Sequence, residues 1–150
     1  MVKMELEELV YQHSVCGIWT DSVEDLSIDK ILTIIEKAPP IRYIAYCMTG
    51  RDVFPLAQWL KEFRDRCPAL RIVAISNPRW YHAESLRIQN EALQWIEQAD
   101  LSVPCSFPKE DALNFMLLCS QVLLIHPDHR TKAISLKKSL NKVAVHIIYI

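Results

Sequence analysis

Residues 41–76 have the sequence IRYIAYCMTGRDVFPLAQWLKEFRDRCPALRIVAIS, and this segment indicates the fold class. Two short apolar runs, within 41–48 and 71–76, lie at its ends, and the second has a continuous apolar centre. Between them, apolar residues recur at helical spacing: Val53, Leu56, Ala57, Leu60 and Phe63. Apolar runs without polar alternation are typical of strands that are covered on both faces, and strands joined through a helix pair in parallel.

The same alternation of runs and amphipathic segments continues on both sides. It predicts helices at 28–37, 83–98, 109–119 and 131–141, and strands at 15–19, 101–105, 121–126 and 143–150. In the helix at 83–98, five residues are expected to face inward: Leu86, Ala92, Leu93, Trp95 and Ile96. Ser106 and Pro108 are expected to begin the helix at 109–119. We therefore predict one α/β domain over residues 1–150, a Rossmann-like three-layer sandwich with a mostly parallel sheet.

Composition limits the classes of function. The chain has 150 residues, of which 51% are hydrophobic and 23% are charged, as in soluble globular proteins. Seventeen basic and eighteen acidic residues leave a net charge of −1, which argues against nucleic acid or a membrane as partner. Two glycines are too few for a glycine-rich phosphate loop, so no dinucleotide cofactor is expected. Five cysteines without metal-site spacing favour free thiols in the cytoplasm.

Polar loops follow three of the predicted strands, and they hold the candidate ligand-binding residues. In open parallel sheets, ligands bind beyond the carboxyl ends of the strands, where loops enter helices. The candidates are Thr49, Arg51, Asp52, Asn77, Arg79, Arg130 and Thr131. Guanidinium groups, hydroxyls and helix amides suit a phosphate or a carboxylate. The alternative is that these side chains form an ordinary solvated surface.

Two segments carry a resemblance to a known family. Residues 48–60, MTGRDVFPLAQWL, and residues 118–150 resemble the SLOG superfamily of Rossmann-like nucleotide-binding proteins. Thr49, Gly50 and Asp52 correspond to the family's first loop, and Thr131 to its closing unit. The resemblance implies a Rossmann-like fold with a nucleotide site at these loops. Arg51 stands where the family has a second glycine, which implies a degenerate member kept for interaction.

Cys47 is the sharpest catalytic candidate, because it ends a predicted strand directly before a polar loop and a helix. A thiolate above a helix N-terminus has a lowered pKa and acts as a nucleophile. Asp52 lies within the same loop, however, and its carboxylate would repel both a thiolate and an oxyanion. Free cysteines beside apolar runs are usually core residues. We therefore favour a protein without catalytic activity.

The histidines are a second candidate for a chemically active site. His126 and His129 flank Asp128 and, together with His82, form a candidate metal or acid–base group. The turn after Pro127 lacks the fixed geometry of a histidine pair on a helix, which favours a solvated turn and no metal. His146 lies in an apolar run and is expected to be a core histidine.

Charges and aromatic rings suggest surfaces for partners. Acidic residues concentrate in the first twenty-five positions: Glu5, Glu7, Glu8, Asp21, Glu24 and Asp25. Lysines concentrate near the last predicted helix: Lys132, Lys137, Lys138 and Lys142. This asymmetry suits head-to-tail self-association or an acidic partner, and the alternative is two ordinary solvated faces. Trp80 and Tyr81 follow a strand and are expected to be exposed in an interface.

These observations predict a non-catalytic interaction or regulatory module with a Rossmann-like fold, which has a protein partner or self-associates. The alternative is a protein that binds a nucleotide or a phosphorylated metabolite at the loops beyond the strands. Convergence of the loop side chains on one pocket would favour the alternative.

Overall fold

The computed structural model describes residues 2–20, 23–24, 26–37, 40–140 and 144–150. Its strands are β1 (Val2–Lys3), β2 (Val15–Trp19), β3 (Tyr43–Cys47), β4 (Arg71–Ser76), β5 (Leu101–Pro104), β6 (Val122–Ile125) and β7 (His146–Tyr149). Its helices are α1 (Leu6–Val10), α2 (Ile28–Lys37), α3 (Phe54–Arg66), α4 (Leu86–Gln98), α5 (Ala112–Cys119) and α6 (Arg130–Ser139). Short 3-10 turns precede the last four helices, at Arg51–Val53, Pro78–Trp80, Lys109–Asp111 and Pro127–His129.

The seven strands form one sheet in the order β1-β5-β4-β3-β2-β6-β7, and every pairing is parallel. From β2 the chain moves through β3 and β4 to β5 on one side, and then crosses back to β6 and β7 on the other. The predicted α/β class, with a Rossmann-like three-layer arrangement around a parallel sheet, is confirmed. The strand order, which the sequence pattern does not contain, places β2 beside both β3 and β6.

Both faces of the sheet are covered, which explains the uninterrupted apolar runs. All four residues of β6 are buried, as are the last five of β4. Helices α3 and α4 contact each other, while α5 contacts β2, α1 and α6. At Gly17 in β2 the packing of α5 is so close that a β-carbon would lie 2.7 Å from Cε of Met116. Glycine is needed there because no side chain fits between the strand and the helix.

Some of the predicted boundaries and faces were wrong. Leu86 and Leu93 are 75% and 48% exposed, because α4 packs through Ala92 and Ile96. Leu93 follows Ala92 by one residue, which turns it about 100° away from that buried face. The first turn before α5 begins at Lys109, so Ser106 lies outside the helix that it was expected to begin.

Other differences concern the ends of the chain. Strand β1 and helix α1 were not predicted, since β1 has two residues and α1 has five. Strand β7 begins at His146, later than expected. Four residues used in the predictions, Asp21, Asp25, Lys142 and Val143, lie outside the described residues, as does the predicted end of the last helix at 141. Over the described ranges, no helix combines the length and the apolar character that crossing a bilayer requires.

Candidate functional site

A cleft of about 360 Å³ opens at the carboxyl edge of the sheet. All five central strands contribute to it from that edge, either directly or through the segment that follows. Its lining comprises Ile18, Trp19, Thr20, Cys47, Thr49, Gly50, Arg51, Asp52, Val53, Leu56, Glu84, Lys109 and His129. This volume lies within the range of small-molecule sites in proteins, about 300 to 1,000 Å³.

The cleft lies beside the point where the strand order reverses. Strand β2 is followed by its neighbour β3 on one side, and β6 is followed by β7 on the other. The backbone N–H of His126 donates to the carbonyl of Trp19 at 3.1 Å, which continues the β2–β6 pairing to this edge. The rings of Trp19 and His129 meet edge to face, with centroids 6.4 Å apart. In open α/β sheets such a crevice is the usual position of a ligand.

Gly50 forms the turn between β3 and α3. Its backbone has φ 156° and ψ −171°, a conformation that is essentially restricted to glycine. The turn at Arg51–Val53 follows at once, and the N–H of Val53 donates to the carbonyl of Gly50 at 3.3 Å. A β-carbon at Gly50 would lie 3.6 Å from Nζ of Lys109. The ammonium group therefore lies over this turn, close to the beginning of α3.

Charges of both signs face the cleft. Arg51 and Lys109 supply two cations, and Asp52 and Glu84 supply two carboxylates. In the part of the chain that the structure describes, none of these four side chains forms an ion pair. Their charges are thus available to a bound molecule that carries an anionic group together with hydroxyls or amines.

Cys47 lies at the base of the cleft with 3% of its surface exposed. Burial raises the pKa of its thiol well above the ordinary value, and the nearby Cys119 and Cys105 raise it further. The thiol is consequently protonated at neutral pH. This is the opposite of the lowered pKa that a nucleophilic cysteine requires.

Three of the seven predicted ligand-binding residues line the cleft: Thr49, Arg51 and Asp52. Arg79, Arg130 and Thr131 are exposed but do not line it. The guanidinium carbon of Arg130 instead lies 5.2 Å from the ring centroid of Tyr149. The three arginines follow three carboxyl strand ends, as expected, but only Arg51 reaches the cleft.

Asn77 is buried, and both the oxygen and the nitrogen of its side-chain amide form hydrogen bonds. Its Oδ1 accepts the backbone N–H of Arg79 at 3.0 Å, and its Nδ2 donates to the carbonyl of Phe107 at 3.0 Å. These bonds tie the loop after β4 to the loop after β5. Asn77 thus shapes the edge of the sheet but lies outside the cleft lining.

The predicted exposure of Trp80 and Tyr81 was wrong, because they are 8% and 5% exposed. Nε1 of Trp80 donates to the carbonyl of Phe107 at 3.2 Å, and the two rings pack with centroids 5.6 Å apart. The loop folds inward because Phe107 supplies both an apolar surface and a hydrogen-bond acceptor. Neither ring forms an exposed interface in this structure.

The candidate histidines His82 and His126 make separate contacts with the backbone. His126 accepts the backbone N–H of Asp128 at Nδ1, and His82 donates from Nδ1 to the carbonyl of Arg79. Within the described residues, no group of three or more His, Cys, Asp or Glu side chains is placed to hold a metal ion. The expectation for His146 was wrong, because its ring is exposed on the edge strand β7.

Residues of the cleft that the sequence did not indicate include Trp19, Glu84 and Lys109, whereas His129 was predicted only as a metal or acid–base candidate. Trp19 is the last residue of β2, and Glu84 and Lys109 lie in the segments that follow β4 and β5. Position beyond the carboxyl end of a strand therefore indicates cleft residues, but the predicted site residues came from the loops after only three of the strands. No protein-family model matches this chain, and no curated protein matches it.

Proposed function

We propose that this chain is a non-catalytic regulatory module that binds a small phosphorylated metabolite in the cleft. The observation that carries the proposal is the ammonium group of Lys109 over the Gly50 turn, 3.6 Å from the position of an added β-carbon. A glycine turn that leads into a helix exposes backbone N–H groups without a side chain in front of them. A phosphate placed there would meet those groups and a cation together.

The remaining lining suits the rest of such a molecule. Arg51 lies in the turn itself and supplies a second cation for the phosphate. Asp52 and Glu84 supply acceptors for sugar or alcohol hydroxyls, whereas they would oppose a ligand made only of phosphate groups. The edge-to-face rings of Trp19 and His129 provide an apolar wall.

The proposal of a module without catalysis draws support from Cys47. Among the residues of the cleft, its thiol is the obvious nucleophile, and burial raises its pKa well above the ordinary range. A protonated thiol cannot attack phosphorus or carbon at neutral pH. Cytoplasmic location is likewise proposed, because all five cysteines are free thiols and such cysteines are typical of reducing compartments.

The test is a thermal-shift panel that compares ribose 5-phosphate, glycerol 3-phosphate, adenosine monophosphate and inorganic phosphate with unphosphorylated ribose, glycerol and adenosine. A ligand at one hundred times its Kd stabilises the folded state by about 2.7 kcal/mol. For a chain of this size, we expect a rise in Tm of about 5 to 10 °C. Only phosphorylated compounds should produce it.

Two variants identify the site. Lys109→Gln should abolish the shift and leave the Tm of the free protein unchanged, because Lys109 is exposed. Lys132→Gln, which removes an exposed lysine of α6 outside the cleft, should keep the full shift. A panel without any shift, or a shift that Lys109→Gln leaves intact, would overturn the proposal.

A further inference from the structure

A second cavity, of about 600 Å³, lies between helix α6 and strand β7 at one edge of the sheet. Its lining is Ile134, Lys137, Lys138, His146, Ile147 and Tyr149, which we call the basic groove. Ile134 is 39% exposed, and α6 contains no carboxylate. The groove thus combines an apolar floor with two lysines on a helix without carboxylates, and Nζ of Lys137 donates to the carbonyl of Val145 at 3.0 Å. Asp128, in the preceding turn, interacts with His126.

The opposite charge is found near the other edge of the sheet. Glu5, Glu7 and Glu8 are exposed in and just before α1, and Tyr11 directly after it is 74% exposed. We call these four residues the acidic surface. Lys3 in β1 is the nearest lysine in sequence. The carboxylates therefore outnumber the cations at this end by three to one over residues 2–11.

The two surfaces belong to the same layer and to opposite edges. Helix α5 contacts both α1 and α6, so the three helices belong to one layer. Among the described residues, β1 pairs with β5 only and β7 with β6 only, and both are parallel to the rest of the sheet. A second copy placed with its β1 edge toward β7 therefore presents a strand of the correct direction. In that arrangement its α1 would lie in the same layer as α6.

We propose that copies of this chain associate head to tail, with the acidic surface of one copy on the basic groove of the next. Charge complementarity selects a second copy as the occupant, since α1 brings carboxylates and an exposed aromatic ring to lysines and an apolar floor. The contact is heterologous, so it propagates to a ring or to an open chain of copies. It uses none of the cleft residues and is independent of the proposed ligand.

The experiment is sedimentation velocity of the whole chain over a concentration series, at ionic strengths of about 0.1 M and 1 M, where the Debye length falls from about 10 Å to about 3 Å. The parent chain should grow in mass with concentration at the lower ionic strength and dissociate at the higher one. A parent chain that is monomeric throughout would overturn the proposal, and the groove would then belong to another acidic partner.

Charge reversal tests the two surfaces separately. Glu7→Lys/Glu8→Lys makes both surfaces basic, and Lys138→Glu/His146→Glu makes both acidic, so each variant alone should bind itself at least about tenfold more weakly. An equimolar mixture of the two should regain the parent's association, because each retains the surface that the other lacks. Failure of the mixture to associate would contradict the pairing of these surfaces.

A matched control carries the same charge change elsewhere. Glu62→Lys/Glu97→Lys alters two exposed glutamates of α3 and α4 and should associate like the parent. If this control dissociates as well, net charge rather than the proposed contact governs association. All substituted side chains are exposed, and the milder pair Glu7→Gln/Glu8→Gln provides the same comparison should a reversed variant fold poorly.

Discussion

The carboxylate of Asp100 accepts the backbone N–H of Ile72 through Oδ2 at 2.8 Å, which joins the residue before β5 to the beginning of β4. Its Oδ1 lies 3.0 Å from Nη1 of Arg64, near the end of α3. The same Nη1 donates to the carbonyl of Gln98 at 3.2 Å. One side chain therefore connects two strands and a helix at the amino edge of the sheet, opposite the cleft.

Asp100→Ala should lower the free energy of unfolding by about 1 to 3 kcal/mol, because it leaves the N–H of Ile72 without its acceptor. Urea denaturation followed by circular dichroism measures the change. Glu97→Ala removes an exposed carboxylate one turn earlier in the chain and should stay within about 0.5 kcal/mol of the parent. Equal losses in the two variants would contradict the assigned role of Asp100.

Gly17→Ala should destabilise the protein by about 1 to 3 kcal/mol through overpacking of β2 against α5. The added methyl would overlap Oγ of Ser120 and lie 2.7 Å from Cε of Met116. Because Oγ of Ser120 is the closest obstructing atom, the loss should be smaller when Gly17→Ala is made in a Ser120→Ala background. An equal loss in both backgrounds would exclude steric overlap with Ser120 as the cause.

Gly50→Ala should cost about 1 to 3 kcal/mol for a different reason, the backbone conformation at φ 156°. The space around the added methyl is sufficient, since its nearest neighbour is Nζ of Lys109 at 3.6 Å. Removing that neighbour should therefore not recover stability, so Gly50→Ala should cost the same in a Lys109→Ala background. Recovery in the double variant would indicate a steric rather than a conformational cost.

Stability should fall at alkaline pH because of the buried thiols. Burial raises the pKa of Cys16 and of Cys119 from 9.0 to about 12, and it raises that of Cys47 well above 9.0. Above pH 9 the unfolded chain releases these protons while the folded chain retains them. The unfolded state then binds fewer protons, so the free energy of unfolding declines as pH rises from about 9 toward 12.

Each such thiol contributes a slope that approaches about 1.4 kcal/mol per pH unit within that window. Urea denaturation between about pH 8 and pH 10 measures the slope of the free energy of unfolding against pH. Cys47→Ala should make this slope less steep by up to about 1.4 kcal/mol per pH unit, the contribution of one thiol. The control variant is Cys67→Ala, which changes a partly exposed cysteine in the same way. A slope that Cys47→Ala does not change would show that this thiol titrates alike in both states.

Much of the fold was predictable because strands and helices of this class carry local signals. The apolar run of β4 and the helical spacing of α2 gave their bounds as the structure has them, Arg71–Ser76 and Ile28–Lys37. Strand β1 has no such signal, since both of its residues are exposed and its place depends on pairing with β5. A strand can be predicted from the sequence when it is buried on both faces, because it then forms a continuous apolar run.

The candidate site was only partly predictable, because distant segments determine its lining. Trp80 is buried by Phe107, which lies 27 positions away, and no local pattern reports that contact. Lys109 reaches the Gly50 turn because parallel pairing through β4 brings the carboxyl ends of β5 and β3 to the same edge of the sheet. Arg51 was correctly predicted to lie at the site because it belongs to the turn that directly follows β3.

The place of β2 in the sheet has a consequence for biosynthesis. Its β3 neighbour follows soon after it, but Val15 of β2 and Gln121, which precedes β6, are 106 positions apart. A ribosome adds about 5 to 20 residues per second. The edge of β2 that pairs with β6 is therefore synthesised about 5 to 20 s before its partner strand. During that interval the nascent chain exposes an apolar, unpaired strand edge, which invites aggregation. Slowed translation or the loss of a holding chaperone should therefore reduce the yield of soluble protein more than the stability of the finished fold suggests.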